Sequence, residues 1–181
     1  FYSISNCQDG LSRVTLGNFL IKRVVFEIQE ELPNIKNFGT LSPIPGFRDW
    51  FVNLDEKLVK NILGNIPLEN ISFLKSSSLK IGDTRIISNK NAIYKLVAHY
   101  LMNEKNSKQL PINDVCRFHL GNGAIIDDIV INANISEVGF KRSFGVMVNY
   151  LYELKNIEKN HEEYINKKTT IISNKVKKLI Q

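Results

Sequence analysis

The chain has 181 residues, 43% of them hydrophobic and 23% charged, the balance of one globular domain with a substantial core. No apolar run approaches the roughly 18 to 20 residues needed to cross a bilayer, so membrane insertion is not expected. A formal charge of +6 favours an anionic partner, nucleic acid or a phosphate-bearing molecule, although abundant Asn, Lys and Ile equally fit a biased genome. Cys7 and Cys116 lack metal-ligand spacing and fall short of a disulfide framework, so both read as reduced, buried or half-buried thiols. The chain opens at Phe1 with no basic leader; a signal peptide is not expected, and the start reads as internal to a longer protein.

Phe1–Ser5 alternates like a strand and runs into a polar turn at Asn6–Gly10. Leu11–Gly17 then feeds a strong helix that Pro33 ends. In it Ile21, Val24, Val25, Ile28 and Leu32 fall at helical spacing, with Lys22, Arg23, Glu27 and Glu30 outward. A short apolar segment at Phe38–Leu41 leads into Ser42-Pro43-Ile44-Pro45-Gly46. Two prolines there fix φ twice, exclude helix and hold Ser42 at the start of a rigid turn. Helix is expected over Asp49–Leu63, with Phe51, Leu54, Leu58, Ile62 and Leu63 on its apolar side, while Leu68–Ile81 is ambiguous around Ser76-Ser77-Ser78. Asn89–Met102 is a helix with Ile93, Leu96, Val97, Tyr100 and Leu101 inward; His99 beside that stripe reads as a packing or surface histidine. Ile125–Ile131 is β-branched and a strand, Asn132–Val138 strand or turn, and Gly145–Tyr152 an ordered segment that gathers aromatics. The Lys-rich tail Lys155–Gln181 carries Ile172, Val176, Leu179 and Ile180 at the spacing of a surface helix.

Two places carry chemistry. A strand and loop deliver the chain into a helix N-terminus near Gly17-Asn18, where free N–H groups and the helix dipole offer an anion site. That segment, Leu16-Gly17-Asn18, lacks the Gly-Lys-Ser/Thr ending of a P-loop and the full glycine set of a dinucleotide fold. The second place is Phe118-His119-Leu120-Gly121-Asn122-Gly123-Ala124. Of three histidines (His99, His119 and His161), His119 sits among small, turn-forming residues, which places its imidazole at a loop edge, ready to move a proton.

Five segments, in this order, resemble malonyl-CoA decarboxylases: Phe1-Tyr2-Ser3-Ile4-Ser5, Leu16 to Val25, Leu41-Ser42-Pro43-Ile44-Pro45-Gly46-Phe47, Phe118 to Ala124, and Val148-Asn149-Tyr150. The Ser-Pro-Ile-Pro-Gly-Phe and Phe-His-Leu-x-Asn-Gly-Ala runs are highly specific as a pair, whereas residues 50–110 and the tail match only loosely. The resemblance implies an α/β catalytic domain of the acetyltransferase-like (GNAT) fold, a mixed sheet flanked by helices, spanning residues 1–181 and incomplete at its N-terminus. The family's N-terminal helical domain, used in oligomerisation, is absent from the chain, so a homo-oligomer through that region is expected. The implied reaction converts malonyl-CoA to acetyl-CoA and carbon dioxide with no metal or organic cofactor, CoA being part of the substrate. Ser42 and His119 are the implied catalytic pair. Ser12, Arg13, Val14, Thr15, Leu16, Gly17 and Asn18 correspond to the loop for the CoA pyrophosphate. Asn122 either contacts substrate or supplies a left-handed turn residue, and Tyr150 reads as a core aromatic with its hydroxyl at the pocket. Nucleic-acid binding rests on charge alone, without an aromatic-basic motif, and is not expected. A mitochondrial or cytoplasmic location is expected, since Lys178-Leu179-Ile180-Gln181 is no peroxisomal Ser-Lys-Leu terminus.

Loss of carbon dioxide from a malonyl thioester leaves an enolate, which needs donors for its oxygen and a proton for its carbon. An imidazolium at His119 is the expected donor and Ser42 its partner and proton acceptor, with Ile44, Phe47 and Phe118 as a dry wall. Arg13 stands where the family has glycine; its guanidinium can pair with phosphate directly. Thr15 stands where the family has a glutamate near the histidine, so either lower activity or a replacement carboxylate from Asp127 or Asp128 is expected. Two other classes remain on the same scaffold: a non-catalytic acyl-CoA-binding protein and an acetyltransferase acting on an amine.

Overall fold

The computed structural model describes residues 16–181, the side chains of 16–20 and 22 excepted. The strand and turn expected over 1–10, Cys7, and Ser12, Arg13, Val14 and Thr15 lie outside the described residues. Along the described chain come α1 (Leu16–Glu31), β1 (Phe38–Pro43), α2 (Phe47–Val52), α3 (Glu56–Leu63) and α4 (Glu69–Ser72), the last running into a 3₁₀ turn at Phe73–Lys75. Next are α5 (Thr84–Ser88), α6 (Lys90–Met102), α7 (Asp114–Gly121), β2 (Ile125–Val130), α8 (Glu137–Ser143), β3 (Met147–Tyr152), α9 (Ile157–Lys167) and α10 (Asn174–Ile180).

The fold is α/β, with β3 between β1 and β2 and both pairings antiparallel. Opposite each other on β1 and β3 stand Phe38 and Tyr152, Thr40 and Tyr150, and Ser42 and Val148. Because side chains alternate along a strand, these six share one face. The other face carries Asn149 opposite Leu41 on one side and opposite Asp128 on the other. A bulge between Ile126 and Asp128 bends β2. Its outer edge makes one parallel bridge, the Ile126 N–H donating to Ile171 and the Ser173 N–H to Ile126.

Several elements differ from the sequence pattern. The helix expected over Asp49–Leu63 is two helices. The Asn53 side-chain amide donates to the Asp49 carbonyl at 2.8 Å, and Asp55 restarts the chain by accepting from the Lys57 N–H at 2.8 Å. Local side-chain bonds of this kind compete with the continuing ladder. Leu32, placed inward by periodicity, falls one residue past α1 and is 54% exposed, whereas Ile21 and Val25 are buried. Asn132–Val138 holds no strand; it turns at Asn132 (φ 54°) and enters α8, which Ser136 caps. The tail forms α9 and α10 rather than one helix, separated by the stretch that bridges to β2. α6 is as expected, its five named apolar residues buried and His99 stacked on Trp50 at the surface.

Phe47, Phe51, Phe140 and Phe144 meet edge to face around α2 and α8 at centroid distances of 6.0–6.2 Å. Phe51 is fully buried, so Phe51→Ala should cost about 3–5 kcal/mol of stability in urea unfolding. Leu32→Ala should cost under about 0.5 kcal/mol, the signature of a surface position.

Candidate active site

Ser42 is the fifth residue of β1, and the two prolines that follow end the strand in a turn closed by Gly46 at φ 79°. His119 is not at a loop edge. It lies in the last turn of α7 and is 4% exposed, because Asn113 caps a helix that continues through the small residues to Gly121. The Asn113 side chain accepts from the Cys116 N–H at 2.8 Å and donates to the Pro45 carbonyl at 2.9 Å. Tyr100 from α6 donates to the same carbonyl at 3.0 Å. One buried amide thus ties the turn after Ser42 to the helix of His119.

The imidazole lies flat on Tyr150, ring centroids 4.3 Å apart, and so sits over the middle of the shared sheet face. Nε2 reaches Ser42 Oγ at 2.9 Å and Nδ1 reaches the Tyr152 hydroxyl at 2.8 Å. Ser42 Oγ in turn meets Thr40 Oγ1 at 3.1 Å. Four side chains, 40, 42, 119 and 152, therefore form one connected line. Neither Thr40 nor Tyr152 stands out in the sequence. Their signal is strand alternation: each lies two residues from a named site residue, on the same face.

Burial depresses the His119 pKa to about 4. Such burial favours the uncharged imidazole over the imidazolium at neutral pH. Among the described residues no carboxylate compensates. Asp127 accepts from the Asn149 amide at 3.5 Å and Asp128 pairs with Lys175, both on the sheet face opposite the imidazole, so neither serves as the carboxylate neighbour expected from them. Burial also raises the Tyr152 phenol above its ordinary range, so it remains protonated.

The second-rank residues serve the frame. Asn122 is fully buried; its amide donates to the Phe118 carbonyl at 2.7 Å and Oδ1 has no partner among the described residues. Its φ is −95°, so the left-handed turn residue is Gly123, at φ 80°. Tyr150 is 1% exposed and supplies its ring to His119. Cys116 is buried, its thiol pushed up to about 12 by desolvation, hence inert. α9 braces the exit of α7: His161 Nδ1 contacts the Gly121 carbonyl at 2.6 Å and Asn160 donates to that of Gly123 at 3.2 Å. Of the expected dry wall, Ile44 and Phe47 are buried, and Phe118 stands edge-on to His119 at 5.3 Å. Leu16, Gly17 and Asn18 open α1.

Residues 1–181 match the family described as Malonyl-CoA decarboxylase C-terminal domain. The chain belongs to that family. It is 36% identical to the mitochondrial malonyl-CoA decarboxylase of Anser anser anser, over 93% of this chain and 37% of that protein. It is 35% identical to the Mus musculus mitochondrial malonyl-CoA decarboxylase, over 99% of this chain and 40% of that protein. The crystal structure of malonyl-CoA decarboxylase from Rhodopseudomonas palustris superposes with a TM-score of 0.82 at 37% identity, covering 99% of this chain and 41% of that one. The chain therefore spans about two fifths of the length of these relatives.

The depressed pKa has a consequence for stability. An unfolded histidine binds its proton near pH 6.5 and the folded His119 only near pH 4, so the unfolded state gains protons first as pH falls. His119 thus adds stability above pH 6.5 that is lost as pH falls towards 4, about 2 kcal/mol of it by pH 5. Urea unfolding at pH 7 and pH 5 should show this loss, and His119→Gln should lack that part of it.

Proposed function

We propose that this domain carries the catalytic pair of a malonyl-CoA decarboxylase, converting malonyl-CoA to acetyl-CoA and carbon dioxide. The supporting observation is the buried contact of 2.9 Å between Ser42 Oγ and His119 Nε2, two residues 77 positions apart. The bond between the carboxylate carbon and C2 breaks; its electron pair passes into the thioester as an enolate, and neutral carbon dioxide departs. C2 then takes one proton. With His119 uncharged, the proton comes from its N–H: Nε2 gives it to Ser42 Oγ, and the Ser42 hydroxyl gives its own to C2. A proton from solvent then returns to the Ser42–His119 pair and restores Nε2–H, so each turnover consumes one proton from water. A neutral imidazole and a serine hydroxyl are weak acids, yet both are far stronger than the carbon acid formed.

The buried apolar residues Ile44 and Phe47, which follow Ser42 in the chain, belong to the proposal as a dry wall that favours loss of a charged carboxylate as a neutral gas. Residues 12–18 belong to the proposal as the loop for the CoA pyrophosphate, with the first turn of α1 supplying N–H donors. The same reading gives the domain an acetyltransferase-like fold, supported by the antiparallel β1–β3–β2 ladder with helices packed on it. Mitochondrial placement follows the names of the goose and mouse relatives. Homo-oligomer formation and independence from any metal or organic cofactor are parts of the same proposal.

Carbon dioxide release from malonyl-CoA, with methylmalonyl-CoA as comparison, tests it. Both His119→Ala and Ser42→Ala should lower kcat by roughly 10²- to 10⁴-fold. Near-parental turnover in either variant would remove that residue from the mechanism. Tight CoA binding with no gas release from the parent chain would make it an acyl-CoA-binding protein instead.

A further inference from the structure

We infer that the four side chains of the site form a hydrogen-bond line with one direction, Tyr152 to His119 to Ser42 to Thr40, in which Thr40 is a positioning residue that sets where the Ser42 proton points. The inference rests on the decarboxylase reading only for its kinetic consequence; the direction itself is a property of the free protein.

The direction follows from the far end. Tyr152 is 2% exposed, and among the described residues its hydroxyl's one hydrogen-bond partner is His119 Nδ1. Were Nδ1 to carry the hydrogen, the phenol O–H would be buried with nothing to accept it, a loss larger than a normal hydrogen bond returns. Tyr152 therefore donates and Nδ1 accepts. A neutral imidazole then carries its hydrogen on Nε2, which donates to Ser42 Oγ at 2.9 Å. Ser42 cannot donate back to a nitrogen that bears hydrogen. Among the described residues the acceptor left for it is Thr40 Oγ1 at 3.1 Å, two residues earlier on the same face of β1. Thr40 is half-buried, unlike Ser42 and His119, so the donor end of the line emerges at Thr40.

Each link has a task. Tyr152 selects the tautomer, His119 presents Nε2–H to Ser42, and Thr40 draws the Ser42 hydrogen aside so that Oγ keeps a lone pair facing the imidazole. That is the arrangement a proton moving from His119 through Ser42 requires. Without an acceptor at position 40, the Ser42 hydroxyl competes for Nε2. The ring then shifts toward Nδ1–H and the line runs backwards.

Nitrogen-15 NMR of His119 together with Thr40→Val and Thr40→Ser tests this. The parent protein should show the Nε2–H tautomer at pH 7. Thr40→Val should move population to Nδ1–H and lower kcat by about five- to tenfold with KM unchanged, the weight of one neutral hydrogen bond. Thr40→Ser should restore both. An Nδ1–H tautomer in the parent protein, or a valine variant that changes neither tautomer nor kcat, would overturn the inference. If no carbon dioxide is released at all, the decarboxylase reading fails by itself, and the tautomer measurement still decides the direction of the line.

Discussion

The carbonyl of Pro45 holds the site together. Its two lone pairs take the Asn113 amide and the Tyr100 hydroxyl, so the turn after Ser42 is fastened to α7 and α6 at one point. Because Asn113 also caps α7, the same side chain fixes where that helix begins and, two turns later, where His119 emerges. Gly46 is part of the joint: a Cβ there would stand 2.8 Å from the Tyr100 hydroxyl, at a backbone φ of 79° that side chains disfavour. The far end of α7 is held separately by α9. A contact between residues 77 apart in sequence is thus set by two short-range devices, a helix cap and a proline turn, sharing one acceptor.

Burial then decides the chemistry. With no carboxylate beside it among the described residues, His119 does what a buried base does and sheds its charge. The cost of burying an imidazole is met by satisfying both nitrogens, one with a phenol and one with an alcohol. Charge is absent, but hydrogen-bond order is strict, because each of the four groups has few alternatives. Among the described residues the side chains bonded to the ring are neutral donors and acceptors, and its tautomer carries the information that a charge would otherwise carry.

Much of this was legible in the residues. The proline pair at 43 and 45, the β-branched run of β2 and the apolar spacing of α6 each specify one conformation through backbone restriction or periodicity. The motifs around Ser42 and His119 pointed to the two residues that meet. Other features depend on partners distant in the chain. His119 looked like a loop residue because Gly121 and Gly123 follow it, and only the Asn113 cap keeps the helix intact through them. The side chains at Asn53 and Asp55 broke one expected helix into two by local bonding that periodicity does not register. Thr40 and Tyr152 escaped notice because a threonine and a tyrosine on strands are ordinary; strand register alone brings them to the imidazole. Asp127 and Asp128 were candidates by proximity in sequence, and the bulge in β2 leaves both on the far face.

The central claim is that Ser42 and His119 act as one unit. A double-mutant cycle on carbon dioxide release measures this directly, comparing Ser42→Ala, His119→Ala and the pair. A shared proton path predicts that the double variant is about as slow as the slower single one, since the second substitution removes a step already lost. Effects that multiply, each variant slowing turnover independently of the other, would contradict the account.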